Sequence, residues 1–152
     1  MITIENVNKS FGQLSALKDI SGTFKKGTVS VVCGPSGSGK STLIRTLNRL
    51  EGIDSGQIII DGQNIYDPSI NIDLFRMRLG FVFQSFNLFP HLNILDNITL
   101  APRKLKGMAK DEAEQMASDL LRQVKLSGKE NYYPGNLSGG QAQRVAIVRC
   151  LA

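Results

Sequence analysis

The sequence predicts an α/β fold, and three observations carry that expectation. Short β-branched runs suit strands, one of them leads through a glycine-rich loop into a helical pattern, and a long amphipathic helix follows in the C-terminal half. Ile2, Ile4 and Val7 open a near-alternating stretch that suits a strand. Val29 to Cys33 is a β-branched run ending at Gly34, and it reads as a buried strand. Leu43, Ile44, Leu47 and Leu50 then recur at helical spacing. Gln57 to Gly62 reads as a strand closing on a turn and Leu79 to Phe83 as another, so a mixed sheet is expected. From Met108 onward, Ala113, Met116, Ala117, Leu120, Leu121 and Val124 share one helical face. Tyr132 to Asn136 breaks that pattern. Ser138 and Gln141 have the spacing of a capping box at the head of a last helix carrying Val145, Ala146 and Val148.

The 152 residues suit one domain, spanning 1–152. Apolar residues make up 41% and charged ones 20%, a composition that excludes a disordered chain. No apolar run is long enough to cross a bilayer, and the N-terminus lacks the basic start and apolar stretch of a secretory signal; a cytosolic chain is expected. Cys33 and Cys150 lie far apart without metal-ligand spacing and read as buried thiols. The net charge of +5 comes from scattered lysines and arginines, which favours a mildly basic surface over a nucleic-acid tract.

Gly34-Pro35-Ser36-Gly37-Ser38-Gly39-Lys40-Ser41 has the phosphate-loop pattern Gly-x-x-x-x-Gly-Lys-Ser, placed between a strand-like run and a helix. Glycines let the backbone curl so that its N–H groups face an anion, and the following helix adds about half a positive charge at its N-terminus. Lys40 is suited to the outer phosphates of a nucleoside triphosphate, and the Ser41 hydroxyl to a Mg²⁺ ion bridging them, with Thr42 on the same turn. The motif specifies a ligand and leaves the reaction open. The Asn-Lys-x-Asp of a guanine reader does not follow the loop, which disfavours a GTPase.

Leu137-Ser138-Gly139-Gly140-Gln141 is the second motif. A capped helix start explains Ser138 and Gln141, whereas two adjacent glycines exceed what a cap needs and open N–H groups to a second anion. A pentapeptide of this kind after a phosphate loop resembles the hallmark of ABC transporter ATPases, and the resemblance covers essentially the whole chain. It implies a P-loop NTPase core of the ABC ATPase type, with an antiparallel β portion and an inserted α-helical subdomain at about 85–137. It further implies ATP and Mg²⁺ as ligands, and a head-to-tail homodimer in which Lys40 of one subunit and Ser138, Gly139, Gly140 and Gln141 of the other hold one ATP. Permease subunits at the cytoplasmic face of the membrane, and indirectly an extracytoplasmic solute-binding protein, would be the partners.

Within that resemblance, Phe11 matches the aromatic that stacks on adenine and Ala16 a small residue near the ribose and base, although a lone phenylalanine serves equally well as core. Gln84 resembles the glutamine that reaches Mg²⁺ and the attacking water. Lys40 and Gln84 are therefore the expected catalytic residues, with Ser41 and Gln84 as metal ligands. Phe86 to Leu92 matches the segment that docks the permease, and local packing explains any one of its residues as well. The wording from Val82 to Pro102 is similar to subunits of polar amino acid importers.

The family's pattern continues past the last helix into a strand ending in Asp-Glu and later a histidine. Neither has a counterpart here: His91 is the one histidine and no acidic residue follows Glu130. The expected chain is thus a C-terminally truncated ATPase, and the alternative is a nucleotide-binding remnant without hydrolysis. A DNA-repair ATPase is disfavoured, because Lys40 and Leu137 stand only 97 residues apart with no heptad run between them.

Overall fold

The computed structural model describes residues 1–152, which divide into two compact units, Met1–Leu79 and Gly80–Ala152. The first holds strands β1 (Ile2–Phe11), β2 (Leu14–Phe24), β3 (Ser55–Ile60) and β4 (Gln63–Asn64), with helices α1 (Lys40–Thr46) and α2 (Ile72–Arg76). The strands form one sheet in the order β2-β1-β3-β4, antiparallel throughout. Strand β1 pairs on both sides and joins β2 through a two-residue turn, with Phe11 opposite Leu14.

Ile4 and Val7 are three residues apart, yet both are buried, which a regular strand does not allow. The register between β1 and β2 shifts between them, and Asn6 takes a left-handed φ of 49°. Its Nδ2 donates to Asp19 Oδ1 at 2.7 Å, while the Asp19 amide donates to Asn8 Oδ1 at 2.8 Å. Asn and Asp tolerate this conformation, so the bulge turns Val7 back to the core. Ile58 and Ile60 of β3 complete that core with Leu17, Ile65 and Phe75.

Helix α1 ends at Thr46, earlier than the apolar spacing out to Leu50 suggests, with Arg49 in the left-handed region at φ 55°. Side chains from beyond β3 satisfy the carbonyls left over at this terminus. Arg76 donates from Nε to Asn48 O at 3.0 Å and from a terminal nitrogen to Arg49 O at 2.8 Å. The Tyr66 hydroxyl lies 2.9 Å from the carbonyls of both Thr46 and Glu51.

Two expected strands do not form. Val29 to Cys33 is irregular and open to solvent, with Val29 96% and Val31 78% exposed, and Leu79 to Phe83 is irregular as well. The sheet is accordingly antiparallel rather than mixed. A β-branched run becomes a strand only when a neighbour completes its hydrogen-bond ladder, and neither run is paired into the sheet. Cys33, expected to be buried, is exposed for the same reason, and Cys150 is half-buried rather than enclosed.

The second unit is helical: α3 (Ile94–Leu105), α4 (Lys110–Gln123), a 3₁₀ turn at Pro134–Asn136, and α5 (Gly139–Leu151). The face expected on α4 is the one that packs, with Ala113, Ala117 and Leu121 fully buried. Ala117 and Leu121 meet Ile94 and Ile98 of α3 and Val145 and Val148 of α5 in a second core. Asn93 caps α3 by accepting from the Asp96 amide at 2.7 Å. None of these helices is long and apolar enough to cross a membrane.

Burial pushes the Tyr66 phenol up to about 12, above its ordinary value near 10. A group raised in the folded state contributes stability that is intact below its unfolded pKa and lost as pH rises through the folded one. Urea midpoints of the chain should therefore fall between about pH 10 and about 12, and Tyr66→Phe should flatten that part of the profile.

Candidate functional site

In the first unit the glycine-rich loop runs from Gly34 into α1. The Ser38 amide donates to Pro35 O at 3.3 Å, and Gly37 and Gly39 take φ of 81° and 84°, conformations that glycine adopts without a Cβ clash. At Gly39 the requirement is also spatial. A Cβ there would lie 2.3 Å from the Ala16 carbonyl oxygen and 3.1 Å from the Leu17 side chain. Leu17 belongs to the buried core of β2, so the end of the loop is seated directly on the sheet. The Leu43 amide donates to Gly39 O at 2.8 Å, which starts the α1 hydrogen-bond series at the loop's last residue.

Lys40 folds back over the loop. Its Nζ donates to Gly34 O at 2.9 Å and to Pro35 O at 2.7 Å, with Ser38 Oγ at 3.4 Å. The ammonium is thus held by neutral carbonyls, whereas anionic oxygens would bind it more strongly. Pro35, Ser36, Gly37, Ser38 and Ser41 are exposed, and Thr42 is half-buried. Ala16 is half-buried beside Gly39, so the structure brings it together with the loop. Phe11, at the end of β1, is 46% exposed. Lys9 Nζ stands 5.1 Å from its ring centroid, and it also approaches Glu51 and Asp54 at 3.4 and 3.5 Å. The alternative of Phe11 as a core residue is therefore excluded.

Gln84 belongs to the second unit, where it is exposed in a turn closed by the Phe86 amide on Phe83 O at 3.0 Å. In the segment that follows, Leu88 packs against the helical core while Phe89 is 42% exposed, its ring 6.0 Å from that of the exposed His91. The local-packing expectation holds for Leu88, while Phe89 and His91 stay outside that packing. Buried Asn97 shapes it: Oδ1 accepts from the Phe89 amide at 2.7 Å, and Nδ2 donates to the carbonyls of Phe89, Leu92 and Asn93 at 3.1, 3.0 and 2.9 Å. Sequence reasoning missed this role. The available signal was an asparagine three residues after Ile94, on the apolar face of α3.

Ser138 caps α5 as its spacing predicts. Its Oγ accepts from the Gln141 amide at 3.4 Å, and Gln141 Oε1 accepts from the Ser138 amide at 2.9 Å. Gly139 and Gly140 are exposed, and a Cβ on either would meet nothing within 4 Å. Packing within the chain does not demand these glycines. They leave the first turn of a 13-residue helix bare, with its free amides open to whatever approaches from outside.

A seated phosphate loop and a glycine-opened helix start in one chain define a nucleotide-binding cassette. Residues 17–152 match the family described as ABC transporter, and the chain belongs to it. It is 49% identical to the glutamine transport ATP-binding protein GlnQ of Escherichia coli K12 and 53% identical to the glutamate transport ATP-binding protein GluA of Corynebacterium glutamicum, in both cases over all of this chain and 63% of the relative. The chain thus spans a little under two thirds of the length of these curated relatives. Its fold matches a dimeric bacterial ABC transporter cassette with a TM-score of 0.88 at 37% identity, over all of this chain and 69% of that one. A post-hydrolysis form of the same cassette, bound to ADP and Pi, matches with a TM-score of 0.87 at 36% identity over 69% of its length. The expected core with an antiparallel β portion and a helical part is the observed fold.

Ser138→Ala removes the cap on the Gln141 amide and should lower stability by about 1 kcal/mol, whereas Ser138→Asp should retain most of it. Urea unfolding followed by far-ultraviolet circular dichroism reads both.

Proposed function

We propose that this chain is the nucleotide-binding part of an ABC importer subunit, one that couples ATP binding and hydrolysis to uptake of a small solute, a polar amino acid. The observation that carries the reading is the loop from Gly34 to Ser41, seated against Ala16 with an ammonium over its mouth and exposed hydroxyls beside it. The loop amides and Lys40 would receive the phosphates, and the exposed Phe11 ring would stack on adenine with Ala16 nearby. Gly34, Pro35, Ser36, Gly37, Ser38, Gly39, Lys40, Ser41 and Thr42 form that binding surface. The residues also fit Mg²⁺ in their chemistry: the hydroxyl of Ser41 and the amide oxygen of Gln84 are hard oxygen donors of the kind this ion takes, usually alongside waters and phosphates. Bound there, Mg²⁺ would neutralise charge on the terminal phosphates.

Ser138, Gly139, Gly140 and Gln141 act on the ATP of a second copy in a head-to-tail homodimer. The dimeric state of the cassette with the same fold supports this arrangement. The exposed Phe89 and His91 suit contact with a permease, which would hold the chain at the cytoplasmic face of the membrane and link it to an extracytoplasmic solute-binding protein. The names of the glutamine and glutamate transport relatives support an amino acid as the solute. We assign 1–152 to one ATPase domain, with 85–137 as its helical subdomain.

A second reading, nucleotide binding without hydrolysis, needs only the loop and Lys40, whose contacts are the Gly34 and Pro35 carbonyls and the Ser38 hydroxyl rather than a carboxylate. A positioned base is worth about 10² to 10⁴ in rate, so binding would persist where turnover does not. Purified chain that binds ATP but releases no phosphate would select this reading, and phosphate release would select the first.

Lys40→Ala should weaken ATP binding roughly 10- to 150-fold, the worth of a charge-assisted contact; calorimetric titration giving an unchanged Kd would remove the loop from the site. Ser138→Arg should leave ATP binding to the monomer intact and abolish nucleotide-dependent dimerisation, because a long cation would fill the space before α5. Sedimentation with and without ATP checks it, and a dimer that persists would sink the two-sided site.

A further inference from the structure

The turn after Gln84 has a backbone that two ordinary residues seldom adopt. Phe86 and Asn87 are consecutive and both left-handed, with φ of 61° and 49°. Asparagine tolerates that region, but a phenylalanine there is strained and persists only where its surroundings impose it. What imposes it comes from the last turn of α5. One terminal nitrogen of Arg149 donates to Phe86 O at 2.8 Å and the other to Asn87 O at 2.7 Å. The guanidinium stands 5.8 Å from the Phe89 ring centroid. It is partly enclosed, and burial lowers its pKa from the ordinary value, yet its partners here are carbonyls and not a carboxylate. A planar fork with two parallel donors suits two successive carbonyls, which a lysine ammonium cannot span in the same way.

The neighbouring residue grips the other side of the turn. Cys150 Sγ donates to Phe81 O at 3.1 Å, and a Cβ on Gly80 would come within 3.2 Å of Cys150 Cβ. The end of α5 therefore holds the chain three residues before Gln84 and again two and three residues after it. The head of the same helix is Ser138 to Gln141.

We propose that Arg149 is a positioning residue: by holding Phe86 and Asn87 left-handed it sets the backbone that presents Gln84. This deepens the proposed function and rests on it for the consequence, although the clamp itself is a property of the second unit alone. The consequence concerns Gln84 alone: a loosened turn would present it in more than one backbone state.

The test is amide hydrogen exchange on the full chain, read together with ATP affinity and, where turnover is measurable, kcat. Arg149→Gln should speed exchange about tenfold or more at Ser85 to Phe89, leave the α3 and α4 amides as they were, and leave ATP affinity measured without Mg²⁺ unchanged. Adding Asn87→Gly, which lowers the conformational cost at the second of the two left-handed positions, should recover part of the lost protection and of any lost kcat. Arg149→Lys should fall between Arg149→Gln and the unmodified chain, and it serves as the probe if Arg149→Gln does not fold. Unchanged exchange at Ser85 to Phe89, loss of protection throughout α3 to α5, or no recovery on adding Asn87→Gly would each overturn the clamp. Failure of the unmodified chain to bind ATP would instead count against the proposed function, and it leaves the exchange result readable.

Discussion

The approach of Gly39 to the Ala16 carbonyl is the constraint from which the rest of the first unit's site follows. The loop must end at the sheet for α1 to begin there, and it can do so only where the last loop residue has no Cβ and a left-handed φ of 84°. That contact places Lys40 at the first helical position, from which its side chain reaches back over the loop carbonyls. It also brings β2, and with it Ala16, alongside the loop. A side chain at this one position would push the loop off the sheet and separate the parts.

The second unit solves a different problem. An exposed segment rich in aromatic residues has to keep one shape without regular secondary structure, so its backbone polar groups need partners from elsewhere. Asn97 supplies them from inside α3, and Arg149 from the end of α5. Both are polar groups used as struts, and both act on backbone rather than on side chains. Phe89 and His91 can face outward because other groups carry the fold around them. The bare first turn of α5 is the complement: Gly139 and Gly140 contribute no packing, and the amides that the Ser138 and Gln141 capping box does not use stay open to water or to an outside group.

Much of this was legible in the residue order, and what was not fails for identifiable reasons. The phosphate loop and the capping box are local: their spacing is set by hydrogen bonds between residues within eight positions of one another, so they appear in the structure where the sequence puts them. The apolar face of α4 is legible for the same reason, since helical periodicity is a local property. The runs at Val29 to Cys33 and Leu79 to Phe83 have strand composition but need a neighbour to become strands, and composition does not say whether a neighbour is there. The α1 terminus was overestimated because the apolar spacing continues past the point where Arg49 turns left-handed.

Sequence by itself determined the class of the protein, because the chemistry that recognises a triphosphate depends on a few residues at short, fixed spacing. Only the tertiary structure decided that Phe11 is exposed rather than core, that the Asn6 bulge returns Val7 to the interior, and that Asn97 and Arg149 hold the segment after Gln84. Those interactions join residues up to 63 positions apart, and the pairing of a side chain with a distant carbonyl leaves no periodic trace in the sequence.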